Sequence, residues 1–118
     1  MREYLSKTRF INAIVRDHMA IDAKRKEQER VLGHPRESPP KYLRLILDNH
    51  PEGIEIVIRG NLIGTHWMML DKIFPSDEKG RLEAYLAATK IAFEAAKRIR
   101  EKSGEAARIG LPEVVEYD

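Results

Sequence analysis

The stretch EIVIRGNLIGTHWMML, residues 55–70, places two glycines between a strand-like run and a helix-like run. Before the first glycine, Ile54, Ile56 and Ile58 alternate with Glu55, Val57 and Arg59. That period of two predicts a strand over 54–59. After Gly60 the spacing changes. Ile63, Trp67, Leu70 and Phe74 recur at three or four, and Leu62, Met69 and Ile73 widen their stripe. This predicts a largely buried helix, capped by Asn61 and stopped by Pro75. A hairpin turning at Gly60–Asn61 is the alternative. The three-to-four spacing favours the helix.

Working outward towards the N-terminus, HPEG reads as a turn, and PKYLRLILDNH (residues 40–50) reads as another helix. Ser38 and Pro39 suit its start, and Tyr42, Leu43, Ile46 and Leu47 make its apolar side. GHPRESPP, residues 33–40, is a proline-rich linker. Ahead of it, a long helix is expected from about Glu3 to Val31. Tyr4, Phe10, Ile11, Ile14, Val15, His18, Met19 and Ile21 form its inner face, and Gly33 and Pro35 end it. Past Ala23 the pattern turns polar all round, so the helix docks through its first half and projects through its second.

Towards the C-terminus, Ser76 is expected to cap a helix running to about Ser103, with Asp77 and Glu78 in its first turn. Leu82, Tyr85, Leu86, Thr89, Phe93, Ala96 and Ile99 read as its inward stripe. Ala84, Ala87, Ala88, Ala92 and Ala95 leave room for close packing. Gly104 stops it, and LPEVVEYD offers a short strand beside Ile54–Ile58. The expected fold is therefore α+β and mostly helical: about four helices with one or two short strands in a single compact domain. Its core comes from 42–47, 62–74 and 82–99. The divisions are an N-terminal helix (1–32), the linker (33–40) and a compact core with an acidic tail (41–118).

A chain of 118 residues fits one domain and can bury a core without staples. The absence of cysteine excludes disulfides, thiolate metal sites and a cysteine nucleophile. No apolar run reaches the roughly 18 residues of a membrane span, and no apolar signal core follows MREYLSKTRF. A cytoplasmic location is the expectation. Glutamine occurs once among abundant Glu, Lys and Arg, a balance that fits a thermophilic source. The net charge of +2 does not by itself imply nucleic acid. Its distribution is uneven: residues 1–37 carry nine basic and six acidic groups, whereas 105–118 carry one and four. Opposite termini can attract within one chain or between copies.

Four chemistries can be weighed. Gly60, Asn61, Gly64 and Thr65 offer a strand–turn–helix order suited to an anion. They lack the lysine and glycine spacing of a phosphate loop. His66 is the best single acid–base candidate, with Asp71 or Asp48 as its partner carboxylate, but Asp71 falls about 140° around a helix from it. No two histidines stand at ligand spacing on a helix, so no metal site and no cofactor is expected. Basic clusters at two helix ends, Lys24, Arg25, Lys26 and Arg30, then Lys97, Arg98, Arg100 and Lys102, could contact phosphates. Glutamates interleave them and no aromatic ladder accompanies them. A partner-binding role fits more of the chain. The leading expectation is a non-enzymatic small subunit or adaptor that self-associates or joins a larger protein, with nucleic-acid contact as a second activity. A small enzyme or anion-binding protein using Gly60–His66 is the alternative.

Overall fold

Among the described residues, the computed structural model contains two long helices and five strands. They run β1 (Arg2–Leu5), α1 (Lys7–Leu32), β2 (Leu43–His50), β3 (Gly53–Gly60), β4 (Trp67–Phe74), α2 (Glu78–Ser103) and β5 (Glu113–Glu116). The structure describes residues 2–35, 43–60, 67–107, 109–110 and 112–116. The strands form one sheet in the order β1-β4-β3-β2-β5. β2, β3 and β4 are an antiparallel meander, β1 adds parallel to β4, and β5 adds parallel to β2. Hence β3 alone runs against the other four strands.

This topology puts both helices on one side. α1 carries the chain from β1 to β2 and α2 carries it from β4 to β5, each moving three places across the sheet in the same direction. Two crossovers of the same hand and direction share a face. A single core cluster accordingly unites Phe10 and Ile14 of α1, Leu45 and Leu47 of β2, Ile54, Ile56 and Ile58 of β3, Met68 and Leu70 of β4, and Ala88 and Ile91 of α2. The opposite face carries a smaller buried cluster of Ile46, Val57 and Met69. Those three sit in one register row that continues to Tyr4 at one edge and Glu113 at the other.

The expected four-helix architecture is overturned. Residues 43–50 and 67–74 are strands, not helices, and residues 1–32 contribute a strand before their helix. Burial on both faces is the physical reason. In β2, Leu45 and Leu47 face the helices while Ile46 is buried on the other side. In β4, Met68 and Leu70 enter the main core and Met69 the second one. A strand buried on both faces reads as a continuous apolar run and loses its period of two. Leu and Met also favour helices when nothing else decides. Here tertiary pairing decides: β2 and β3 are in register from Leu43↔Gly60 to His50↔Gly53, closed by a turn at Pro51 and Glu52. The C-terminal strand exists, but it pairs with β2 rather than beside Ile54–Ile58.

Both helices are bounded by local chemistry. The Ser6 hydroxyl accepts from the Arg9 amide at 3.4 Å, and Gly33 ends α1 in the left-handed region (φ 81°). Asp77, not Ser76, caps α2, its carboxylate accepting from Gly80 N at 2.7 Å. Gly104 ends that helix at φ 74°. Gly80 has a packing role as well, since a Cβ there would overlap the Pro75 carbonyl.

Candidate functional site

α2 has two apolar faces, and the larger side chains lie on the outer one. Gly80, Ala84, Ala88, Ile91, Ala95 and Ile99 are buried against the sheet and α1. The glycine and alanines among them let the helix axis lie close to its neighbours. Leu82 (60% exposed), Leu86 (51%) and Phe93 (70%) are on the outside, with Tyr85 (37%) flanking them. At 3.6 residues per turn, the first three lie within about 30° of the direction opposite the buried face. The inward stripe expected from the sequence is thus reversed. Of that set only Ile99 is buried, while Ala96 and Thr89 are half-buried.

The outer stripe repeats with a period of seven. Lys79, Leu82, Leu86, Thr89, Phe93, Ala96 and Arg100 follow one another at alternating steps of three and four, the spacing of a coiled-coil seam. α1 offers no matching stripe along its outer side, where Arg9, Asn12, Arg16, Glu27 and Arg30 are exposed. Val31 and Leu32 are exposed at its last turn. On one flank of the α2 seam, Glu83, Leu86 and Lys90 border a cleft of about 480 Å³. Lys7, Asp71 and Lys72 line its opposite wall, and the Lys72 ammonium sits 4.8 Å from the centre of the Phe74 ring.

α1 and α2 run side by side in the same direction, and Arg98 and Lys102 of the α2 cluster lie beside Asn12, Arg16 and Met19 of α1, ahead of Lys24–Arg30. Arg98 donates to the Asn12 side chain at 2.8 Å, and further along α1 Lys26 pairs with Glu105, just past the end of α2, at 3.3 Å. Half of the expected phosphate contacts are engaged in ion pairs. Arg25, only 10% exposed, binds Asp22 at 2.9 Å and Glu29 at 2.8 Å. Lys26 also approaches Asp22 at 3.5 Å. Arg30 pairs with Glu27, and Arg98 with Glu94 at 3.3 Å. Burial alone would raise the Asp22 pKa, but the hydrogen bond and charge of Arg25, with Lys26 behind them, outweigh it and hold the carboxyl below the usual 3.8. Glu105 chiefly, and Asp22 next, hold the Lys26 ammonium above its ordinary 10.5. Among the described residues, Lys24, Lys97, Arg100 and Lys102 make no ion pair. Lys97 and Arg100 border one shallow hollow with Ala107, and Lys102 another with Arg16 and Met19.

Of the residues expected in a strand-to-helix turn, only Gly60 is described, as the last residue of β3, and the chain resumes in strand β4 rather than in a helix. Asn61, Gly64, Thr65 and His66 lie outside the described residues. His18 is buried on the inner face of α1. Among the described residues, no three His, Asp or Glu side chains are grouped to hold a metal ion, and no helix is long and apolar enough to cross a membrane. No protein-family model matches the chain, and no curated protein or solved structure matches it either.

Proposed function

We propose that this chain is a non-enzymatic small subunit or adaptor that works by protein–protein assembly, with the outer face of α2 as its contact surface. One observation carries the reading: Leu82, Tyr85, Leu86 and Phe93 stand exposed along one helix whose opposite face already fills the core. A surface helix normally has a single apolar stripe, turned inward. A second one, rimmed by Lys79, Glu83, Lys90 and Lys97, has the form of a partner-binding surface.

Nucleic-acid contact is the second reading, resting on the exposed basic residues in the second half of α1 and the last turns of α2. With Arg25, Lys26, Arg30 and Arg98 paired to carboxylates, it falls to Lys24, Lys97, Arg100 and Lys102. Neutralising those four should flatten the salt dependence of any DNA or RNA binding. The small-enzyme alternative at Gly60–His66 draws no geometric support from the described residues.

The test of the leading reading is light scattering behind size-exclusion chromatography across a range of concentrations. Wild type should form an assembly of defined mass. Phe93→Glu should shift it to monomer with an unchanged circular dichroism spectrum. An assembly that survives both Phe93→Glu and Leu86→Glu would place the contact elsewhere and overturn the reading.

A further inference from the structure

We infer that the occupant of the α2 outer face is a second copy of this chain, docked antiparallel about a two-fold axis between the Leu86 and Thr89 layers. This inference rests on the assembly reading above and adds the partner and the geometry.

The seam decides between orientations by charge. In a parallel pair, equivalent seam residues face each other. Lys79 would then meet the second copy's Lys79, Arg100 its Arg100, and Glu78 would flank its Glu83. An antiparallel pair relieves all three. Leu86 of one copy packs with Thr89 of the other, Leu82 with Phe93, and Lys79 beside Ala96. Because a two-fold interface is isologous, each contact occurs twice. On one flank, Glu83 lies across from the second copy's Lys90, and Lys90 from its Glu83. On the other flank, Tyr85 lies across from Ala92, which is half-buried and small enough to receive the ring. No like-charged pair faces itself in this register, and Leu82 and Phe93 gain each other as apolar neighbours, with Leu86 against the Thr89 methyl side.

The position of α2 permits the approach. Its outer stripe points away from the sheet, and the adjoining outer side of α1 carries polar residues. Two copies would form four layers, sheet, helices, helices and sheet. The shared seam from Leu82 to Phe93 spans about 17 Å of helix, which is short. It buries less than the roughly 1,600 Å² of a standard stable interface. A dimer of micromolar affinity is expected, visible only at matching concentrations.

The absence of cysteine permits a clean crosslinking test. Single-cysteine chains Leu82→Cys and Phe93→Cys are mixed and oxidised at concentrations where wild type is dimeric. The antiparallel dimer gives a disulfide between the two different variants and little within either one alone. Efficient bonding of Leu82→Cys to itself would overturn the antiparallel geometry while leaving assembly through α2 in place. A chain that stays monomeric throughout would overturn both. As a second measurement, Glu83→Lys or Lys90→Glu alone should weaken the dimer about tenfold, and the two together in one chain should restore it. Loss without restoration would refute the flanking pair.

Discussion

Arg25 grips Asp22 through a single oxygen. Its Nε and Nη2 both donate to Oδ1, at 3.1 and 2.9 Å, while its Nη1 reaches Glu29 at 2.8 Å. Both members of the pair are 10% exposed, and Glu105 closes the group from beyond α2 at 3.7 Å. The group therefore joins the second half of α1 to the chain that leaves α2.

Removing the cation should take the closest partner from two carboxylates, leaving Asp22 with the more distant Lys26. Breaking a buried pair from one side is far more damaging than the net value of the pair suggests. With residual exposure taken into account, Arg25→Ala should lose about 2 kcal/mol of unfolding free energy. Urea denaturation measures this, and a loss no larger than that of an exposed substitution would show that solvent already screens the group.

The same group sets a pH dependence. The folded Asp22 pKa is depressed below 3.8, so the folded state binds the proton less readily than the unfolded chain. Its contribution is fully present above the unfolded value and is lost as pH falls through the folded one. Stability should decline below about pH 5, and Asp22→Asn should lessen that decline while lowering stability at pH 7. Parallel denaturation curves for the two chains between pH 3 and pH 7 provide the comparison.

The orientation of α2 yields a paired outcome. Ala88 is fully buried and Phe93 is 70% exposed. Ala88→Leu should overpack the core and cost about 1–3 kcal/mol. Phe93→Ala should change the stability of the dilute monomer by less than about 0.5 kcal/mol. Were the helix turned the other way, the two results would exchange.

That orientation marks a limit of what the sequence discloses. α2 carries two stripes at helical spacing, Leu82–Leu86–Phe93 and Ala84–Ala88–Ala95 with Ile91. Size alone assigned the larger side chains to the core. The structure buries Ala84, Ala88 and Ala95 together with Ile91 and Ile99, and the alanines are what let α2 lie close to the sheet and to α1 beside it. The extent of α2, its glycine stop and the strand at Ile54–Ile58 were legible, since each follows from local rules. β2 and β4 were not, because burial on both faces erased their alternation. The eight basic residues could be listed from the sequence. Their partial neutralisation was legible where it is local, since Arg25–Glu29, Glu27–Arg30 and Glu94–Arg98 stand three or four apart; the pairing of Lys26 with Glu105 was not, as it depends on the parallel course of two helices. The seven-residue spacing of the α2 seam was present in the sequence. It was read as a helix face filling the core.

At Gly80, helix propensity and packing have opposite signs. Alanine normally gains about 1 kcal/mol over glycine inside a helix. A Cβ at this position would run into the Pro75 carbonyl, and backbone cannot step aside as a flexible side chain can. Gly80→Ala should therefore lower the thermal midpoint by several degrees, in line with about 1–3 kcal/mol of overpacking. An increase would mean that the turn before α2 yields more easily than the core behind it.

The sheet joins strands of very different sequence separation. β2 meets β3 across a two-residue turn, whereas Arg2 must find Trp67 and Ile46 must find Glu113. Closing those long loops has to precede the contacts that offset their entropy. The meander is the part that can organise early, and each outermost strand can join only after a long loop that contains one of the helices has closed. Such an order makes the edges the last part of the sheet to acquire protection from amide exchange and the first to lose it. The chain would then fold at the slower pace of a non-local topology despite its two long helices.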